Sequence, residues 1–329
     1  MEFFELFTQN LLSPAILFFA LGIAAGLLKS DLDVPDQISR YLSIYLMMAI
    51  GFKGGVAIAE TPEINGEVIA TILVGITIGL LQPFLGYWLL RLTSKLDRPT
   101  AAAVSAHYGS ISMVTFVTAV GFLGTNEIVY AGFIVAVLAL MEAPAILSGL
   151  FIAHRVKPET IEATEKATPK LSREIFTNGA ILLLTGAFVI GWATGTSGME
   201  KMEGFLVTPF QGVLALFLLD MGLLVSRQID HLKEFSISLF LFGIYMPLIG
   251  SLGGLLSSIA IGLDVGTGML FMVLCASASY IAVPAAMRLA LPQAKAAIYV
   301  PMSLAVTFPF NIIFGIPIYF AAAQIFLSS

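Results

Sequence analysis

The sequence predicts an all-α polytopic membrane protein of about ten transmembrane helices, arranged as two inverted five-helix repeats. Three observations predict it: apolar runs of membrane-spanning length, basic residues confined to alternate loops, and a polar pattern that recurs at a fixed offset along the chain.

The first observation is compositional. Of the 329 residues, 58% are hydrophobic and 11% charged, and the mean hydropathy is +0.96. Soluble chains carry roughly 45–50% apolar and about 25% charged residues. Too few charges remain to clothe a water-facing surface. The apolar residues also fall in runs of about 20, enough to cross a ~30 Å hydrocarbon layer at ~1.5 Å per residue. Ten candidate spans result: 11–28, 38–59, 66–90, 100–123, 128–152, 175–194, 206–226, 235–262, 266–290 and 295–327. Continuous rather than alternating apolarity favours helices over a barrel. The last span is long, and Pro301, Pro309 and Pro317 predict a kink or break within it. The first run follows Glu2 and Glu5 rather than a basic segment, so a retained span is expected there, not a cleaved signal.

A net charge of −5 with no basic stripe argues against nucleic acid as a partner. Cys275 is the single cysteine, which excludes a disulfide framework and a cysteine-based metal site.

The second observation sets orientation. With both termini outside, the inner segments hold 14 of the 16 Lys and Arg residues. They include Lys29 and Arg40, then Arg91, Lys95 and Arg98, then the cluster from Arg155 to Arg173, and later Arg227, Lys233, Arg288 and Lys295. Lys201 alone falls in an outer loop, and Lys53 lies within the second span. This asymmetry obeys the positive-inside rule.

The third observation is the repeat. An ungapped offset of 167 residues lays Leu96-Asp97 on Leu263-Asp264, Thr100 on Thr267, Ser110 on Ser277 and Ser112 on Ser279. An offset of 165 lays 15–26 over 180–191. Apolar sequences match themselves by chance, but paired Asp, Thr and Ser at one offset are harder to dismiss. The expected organisation is a first repeat at 1–155, a cytoplasmic linker at 156–173 and a second repeat at 174–329. An odd number of spans per repeat forces the second to insert upside down. Inverted repeats of this kind recur in secondary transporters, with sites near the midplane where the repeats meet.

The fourth and ninth spans carry the candidate site. His107-Tyr108-Gly109-Ser110-Ile111-Ser112 interrupts one, with Thr115 and Thr118 after it. Ala276-Ser277-Ala278-Ser279-Tyr280 interrupts the other, with Pro284 beyond. Glycine, hydroxyl residues and proline let a helix unwind, which is tolerable at that depth only beside protein or a watery cavity. Paired breaks would aim free N–H groups at an anion and carbonyl and hydroxyl oxygens at Na⁺. Small and hydroxyl residues also serve close helix packing, and either break alone would read that way.

Lys53, His107, Glu142 and Asp220 are the ionisable residues inside spans, each a functional candidate by cost. Lys53 alternatively snorkels outward, and His107 alternatively serves as a neutral hydrogen-bonded core residue. Glu142, beside Pro144, suits a cation or a helix–helix hydrogen bond.

At HYGSISMVTFVTAVGFLG (107–124), GFKGG (51–55), LMEAPAI (140–146) and LCASASYIAVPAAMR (274–288), the chain resembles the sodium-dependent bicarbonate transporters of cyanobacteria. The resemblance implies a core domain with crossed broken helices beside a gate domain. It further implies Na⁺-coupled bicarbonate symport by a homotrimer in the plasma membrane, no cofactor beyond the coupling ion, and a cytoplasmic PII-like regulator. Carried over, the substrate site is Gly109, Ser110, Ile111, Ser112, Ser277, Ala278, Ser279 and Tyr280. The sodium candidates are Ser110, Ser112, Thr115, Glu142, Asp220 and Ser279. The short linker departs from the resemblance and puts regulator docking in question. A cation/proton antiporter or another sodium-coupled symporter of small organic anions is the alternative. An intramembrane protease is disfavoured by the lack of GxGD and HExxH.

Overall fold

Side-chain caps start most of the helices. In the computed structural model, which describes residues 7–8, 10–59, 65–156, 179–232, 235–280, 283–284, 287, 291 and 293–328, Ser13 caps α1 (Pro14–Leu27) through the Ile16 amide. Asn65 caps α3 (Gly66–Thr93), and Ser236 caps α9 (Ile237–Ile261). Each oxygen satisfies an N–H that the first turn leaves without a helical acceptor. Asp97 and Asp264, paired at the offset of 167, do the same work. Their Oδ1 atoms accept the amides of Thr100 and Thr267 at 2.8 and 2.9 Å, opening α4 (Arg98–Gly109) and α10 (Val265–Cys275). The remaining helices are α2 (Asp36–Ala59), α5 (Met113–Thr125), α6 (Ile134–Val156), α7 (Gly179–Leu206), α8 (Phe210–Leu232) and α11 (Ala296–Leu327).

Among the described residues, seven stretches are long and apolar enough to cross a membrane, the α4–α5 pair counting as one. The apolar helices α1 and α10 are shorter. Leu73 on α3 and Leu252 on α9 are more than half exposed, as are Val189 and Ile190 on α7. Large apolar faces turned outward mark a lipid-facing bundle. The chain is a multi-pass helical membrane protein.

The helices pack in two groups. α1 lies along α8, and α2 along α7. Beside them, α3, α4 and α6 pack on one another, as do α9, α10 and α11, with α3 touching α9. Glycine permits the α1–α8 approach: a Cβ on Gly22 would sit 2.1 Å from Leu219 O, and one on Gly222 2.2 Å from Phe19 O. Without a hydrophobic force between helices in lipid, such backbone proximity is what holds them.

Two expectations are corrected. The outer loop expected after residue 194, with Lys201 in it, is helical: α7 kinks at Gly195, whose φ of 53° and ψ of −148° are not helical, and a second helical segment runs on to Leu206. Met199, Met202 and Leu206 recur at helical spacing and pack on the core, a periodicity that the polar composition of the segment obscured. The last span is not broken at its prolines, running as consecutive helical segments from Ala296 to Leu327. It widens instead into π turns at Met302–Thr307 and Asn311–Gly315, which re-set the hydrogen-bond register around the N–H groups that proline lacks. The predicted linker beyond Val156, and most of 281–292, lie outside the described residues.

Candidate functional site

Every residue of α4 from Thr100 to Gly109 is buried, and the helix stops where it meets α3. A Cβ on Gly109 would lie 2.2 Å from Pro83 Cγ, so only glycine fits there. Ser110 is extended (φ −102°, ψ 156°), and Ser112 (φ −104°, ψ 107°) caps α5. The Ser112 Oγ accepts the Thr115 amide at 3.3 Å and the Thr115 hydroxyl at 2.9 Å, and its carbonyl accepts the Phe116 amide. That leaves the amides of Met113 and Val114, at the positive end of the α5 dipole, without helical acceptors.

The break after α10 is held by side-chain amides. Gln82 on α3 donates to the Cys275 carbonyl at 2.8 Å. Asn311, in the second π turn of α11, donates to the Ala276 carbonyl at 2.9 Å, and its own Oδ1 accepts the Tyr319 hydroxyl at 2.8 Å. Ser277 donates to the Val273 carbonyl at 2.6 Å. Carbonyls that the helix end would orphan are therefore met from α3 and α11.

The two breaks touch. The Ser279 amide donates to the His107 carbonyl at 2.9 Å, and the Tyr280 hydroxyl reaches the Met221 sulfur on α8 at 4.0 Å. The Tyr280 ring also packs on Phe308, with centroids 5.5 Å apart. Gly109–Ser112 and Ser277–Tyr280 thus lie together, with Thr115 one turn into α5. Ile111 and Ala278 are buried in the adjoining apolar clusters. Two buried side-chain atoms have no partner among the described residues, Ser110 Oγ and His107 Nε2, and both belong to the α4 break. An unsatisfied buried polar atom costs about 1–3 kcal/mol, and these two stand three residues apart in the chain at the α4 break.

The other candidates stand elsewhere. Asp220, on α8, accepts the hydroxyl of Ser39 on α2, so its carboxylate sits at the seam between those helices. The Glu142 side chain lies outside the described residues. Lys53 lies over the Phe210 ring at 4.9 Å. Among the described residues no three His, Cys, Asp or Glu side chains gather, so a cation at the breaks would meet hydroxyl and carbonyl oxygens, the donors a hard monovalent ion takes. Gln82, Asn311 and Tyr319 were missed by sequence reasoning. A carboxamide inside an apolar span was the available signal, since it too is expensive in hydrocarbon.

The fold is thus a polytopic helical bundle in which two interrupted helices meet around polar atoms that have no partner among the described residues. The model of the Na⁺-dependent bicarbonate transporter superfamily matches residues 14–324, nearly the whole chain, and the chain belongs to that superfamily. This is a family of transporters, not of enzymes. A search of curated proteins gives no match.

Proposed function

We propose that the chain is a secondary active transporter that carries bicarbonate into the cell with Na⁺ by alternating access. The contact between the breaks carries this reading: the Ser279 amide on the His107 carbonyl brings two helix interruptions to one point. There the Met113 and Val114 amides and the Ser110 hydroxyl suit the oxygens of a small anion. The hydroxyls of Ser110, Ser112, Thr115 and Ser279, with nearby carbonyls, suit Na⁺. Glu142 and Asp220 remain sodium candidates, Asp220 at a seam of its own.

The packing supports about ten spans in two inverted repeats with boundaries at 1–155 and 174–329. Exchanging each helix of the first half for its counterpart turns the α1–α8 pair into the α7–α2 pair. It likewise turns the α3–α4–α6 group into α9–α10–α11. On this reading α1, α2, α7 and α8 form the gate, against which the group holding both breaks moves. Basic asymmetry supports both termini outside, and the plasma membrane follows from the resemblance. The homotrimer and the PII-like regulator follow from the resemblance alone.

Symport requires coupling. If both solutes share the site, Na⁺ raises bicarbonate affinity, and bicarbonate raises Na⁺ affinity by the same factor. Titration calorimetry on the detergent-purified protein measures both dissociation constants. Bicarbonate binding that is unchanged when K⁺ replaces Na⁺ would rule out the symporter and leave a channel or uniporter.

A further inference from the structure

His107 uses half of its hydrogen-bonding capacity. Its Nδ1 lies 2.6 Å from the Ala103 carbonyl. A carbonyl only accepts, so Nδ1 carries the proton, and in the neutral ring Nε2 presents a bare lone pair. The residue is fully buried, its ring tilted at 37° against Tyr299 with centroids 4.9 Å apart. No counter-charge meets the ring among its described contacts, and a buried, unpaired imidazolium is strongly disfavoured. Nε2 is therefore an acceptor, and among the described residues nothing donates to it.

The place of this acceptor matters more than its isolation. The His107 carbonyl is the one that receives the Ser279 amide, so the residue stands where the two breaks meet. Ser110 Oγ, the other orphan, follows three residues later. Leaving both desolvated without return is unfavourable, and they are the two such side-chain atoms among the described residues. At the repeat-related position stands Leu274, so the acceptor exists on one side only and can orient a ligand.

We propose that His107 Nε2 and Ser110 Oγ form a subsite that selects an oxyanion bearing a hydroxyl group: the ligand O–H donates to Nε2, and the Ser110 hydroxyl donates to another ligand oxygen. This rests on the transport reading above and adds the basis of its selectivity. Bicarbonate carries such an O–H. Nitrate is also a small planar monoanion with three oxygens, but has no proton to give. An amide-lined site alone treats the two alike, whereas a fixed lone pair repels the oxygen of one and accepts the hydroxyl of the other. The logic is that of a buried polar group discriminating by what it would leave unpaired.

The test uses the full chain in proteoliposomes, following labelled bicarbonate uptake under an inward Na⁺ gradient and its competition by nitrate. The comparison is between wild type, His107→Phe and His107→Gln. Phe keeps a ring against Tyr299 without an acceptor, whereas the Gln Oε1 can accept. In His107→Phe the apparent bicarbonate affinity should fall about tenfold or more, while nitrate inhibition holds or strengthens as the repelling lone pair is lost, and His107→Gln should restore most of the preference. Na⁺-dependent thermal stabilisation without bicarbonate should be the same in all three, a readout that reports the fold and the cation site. Should His107→Phe lack that stabilisation, His107→Leu, which copies the residue at the repeat position, takes its place with the same expectation. Wild type that carries no bicarbonate would defeat the transport reading itself. Uptake in wild type with an undiminished preference in the variants would mean that water meets Nε2, and the subsite would be wrong. Equal weakening of both anions would show the ring acting as a donor or by packing, and would also overturn it.

Discussion

Replacing Gly250 by Ala tests whether α9 fixes the break after α10. The new Cβ would lie 2.0 Å from the Cys275 carbonyl oxygen and 2.9 Å from Gln82 Nε2, against the acceptor and beside the axis of a 2.8 Å hydrogen bond. Cys275 sits in the tightly packed core, so its carbonyl cannot withdraw without moving α10. Overpacking of this kind costs about 1–3 kcal/mol. Stripping the buried carbonyl and amide of each other costs about 1–3 kcal/mol more. Alanine returns roughly 0.5–1 kcal/mol of helix propensity, for a net loss of about 1–5 kcal/mol. Gly253, on the same helix, has nothing within 4 Å of its would-be Cβ, so Gly253→Ala should be neutral or gain about 0.5–1 kcal/mol. Detergent melting curves with and without Na⁺, and bicarbonate uptake, compare the two. Gly250→Ala should melt lower and transport poorly, while Gly253→Ala behaves as wild type. If Gly250→Ala melts and transports like Gly253→Ala, α9 does not hold the break, and the reasoning fails.

Removing the Ser110 hydroxyl as Ser110→Ala, or that of Ser277 as Ser277→Ala, should weaken bicarbonate or Na⁺ affinity by about tenfold or more, read by calorimetry on protein that melts normally. Wild-type affinities in both would mean that these serines only pack helices. Asp264→Ala strips the α10 cap and the Thr267 side-chain contact, and should destabilise the protein by about 0.5–2 kcal/mol; an unshifted melt would refute it. Cysteines placed at Asn126 and Gly198 should react with an impermeant thiol reagent from outside, and ones at Ser94 and Ala163 should not; labelling at Ala163 from outside would overturn the inverted arrangement.

The two breaks were legible because their residues announce themselves. Gly109 next to serines at mid-span, and the Asp–Thr and Ser pairs 167 residues apart, have no easy place in a plain apolar helix. The structure adds why the breaks hold, and that was not legible. The Gln82 contact reaches across 193 residues to Cys275, and no local pattern encodes which carbonyl a buried amide will find. Asn311 was hidden differently: its reach to Ala276 depends on a π turn, a register change that follows from proline placement only once neighbouring helices are known. Helical periodicity in Met199, Met202 and Leu206 was present but lay among polar residues, so the end of α7 read as a loop. His107 was ambiguous from sequence because tautomer and partner are tertiary facts; its Ala103 contact settles one nitrogen and leaves the other without a partner among the described residues.

The central claim is Na⁺-coupled movement of bicarbonate through the paired breaks, and uptake of labelled bicarbonate into proteoliposomes tests it most directly. With an inward Na⁺ gradient, label should accumulate above its equilibrium level, and the accumulation should collapse when K⁺ replaces Na⁺ or the gradient is dissipated. Equilibration at the same rate and to the same level with either cation would contradict the account.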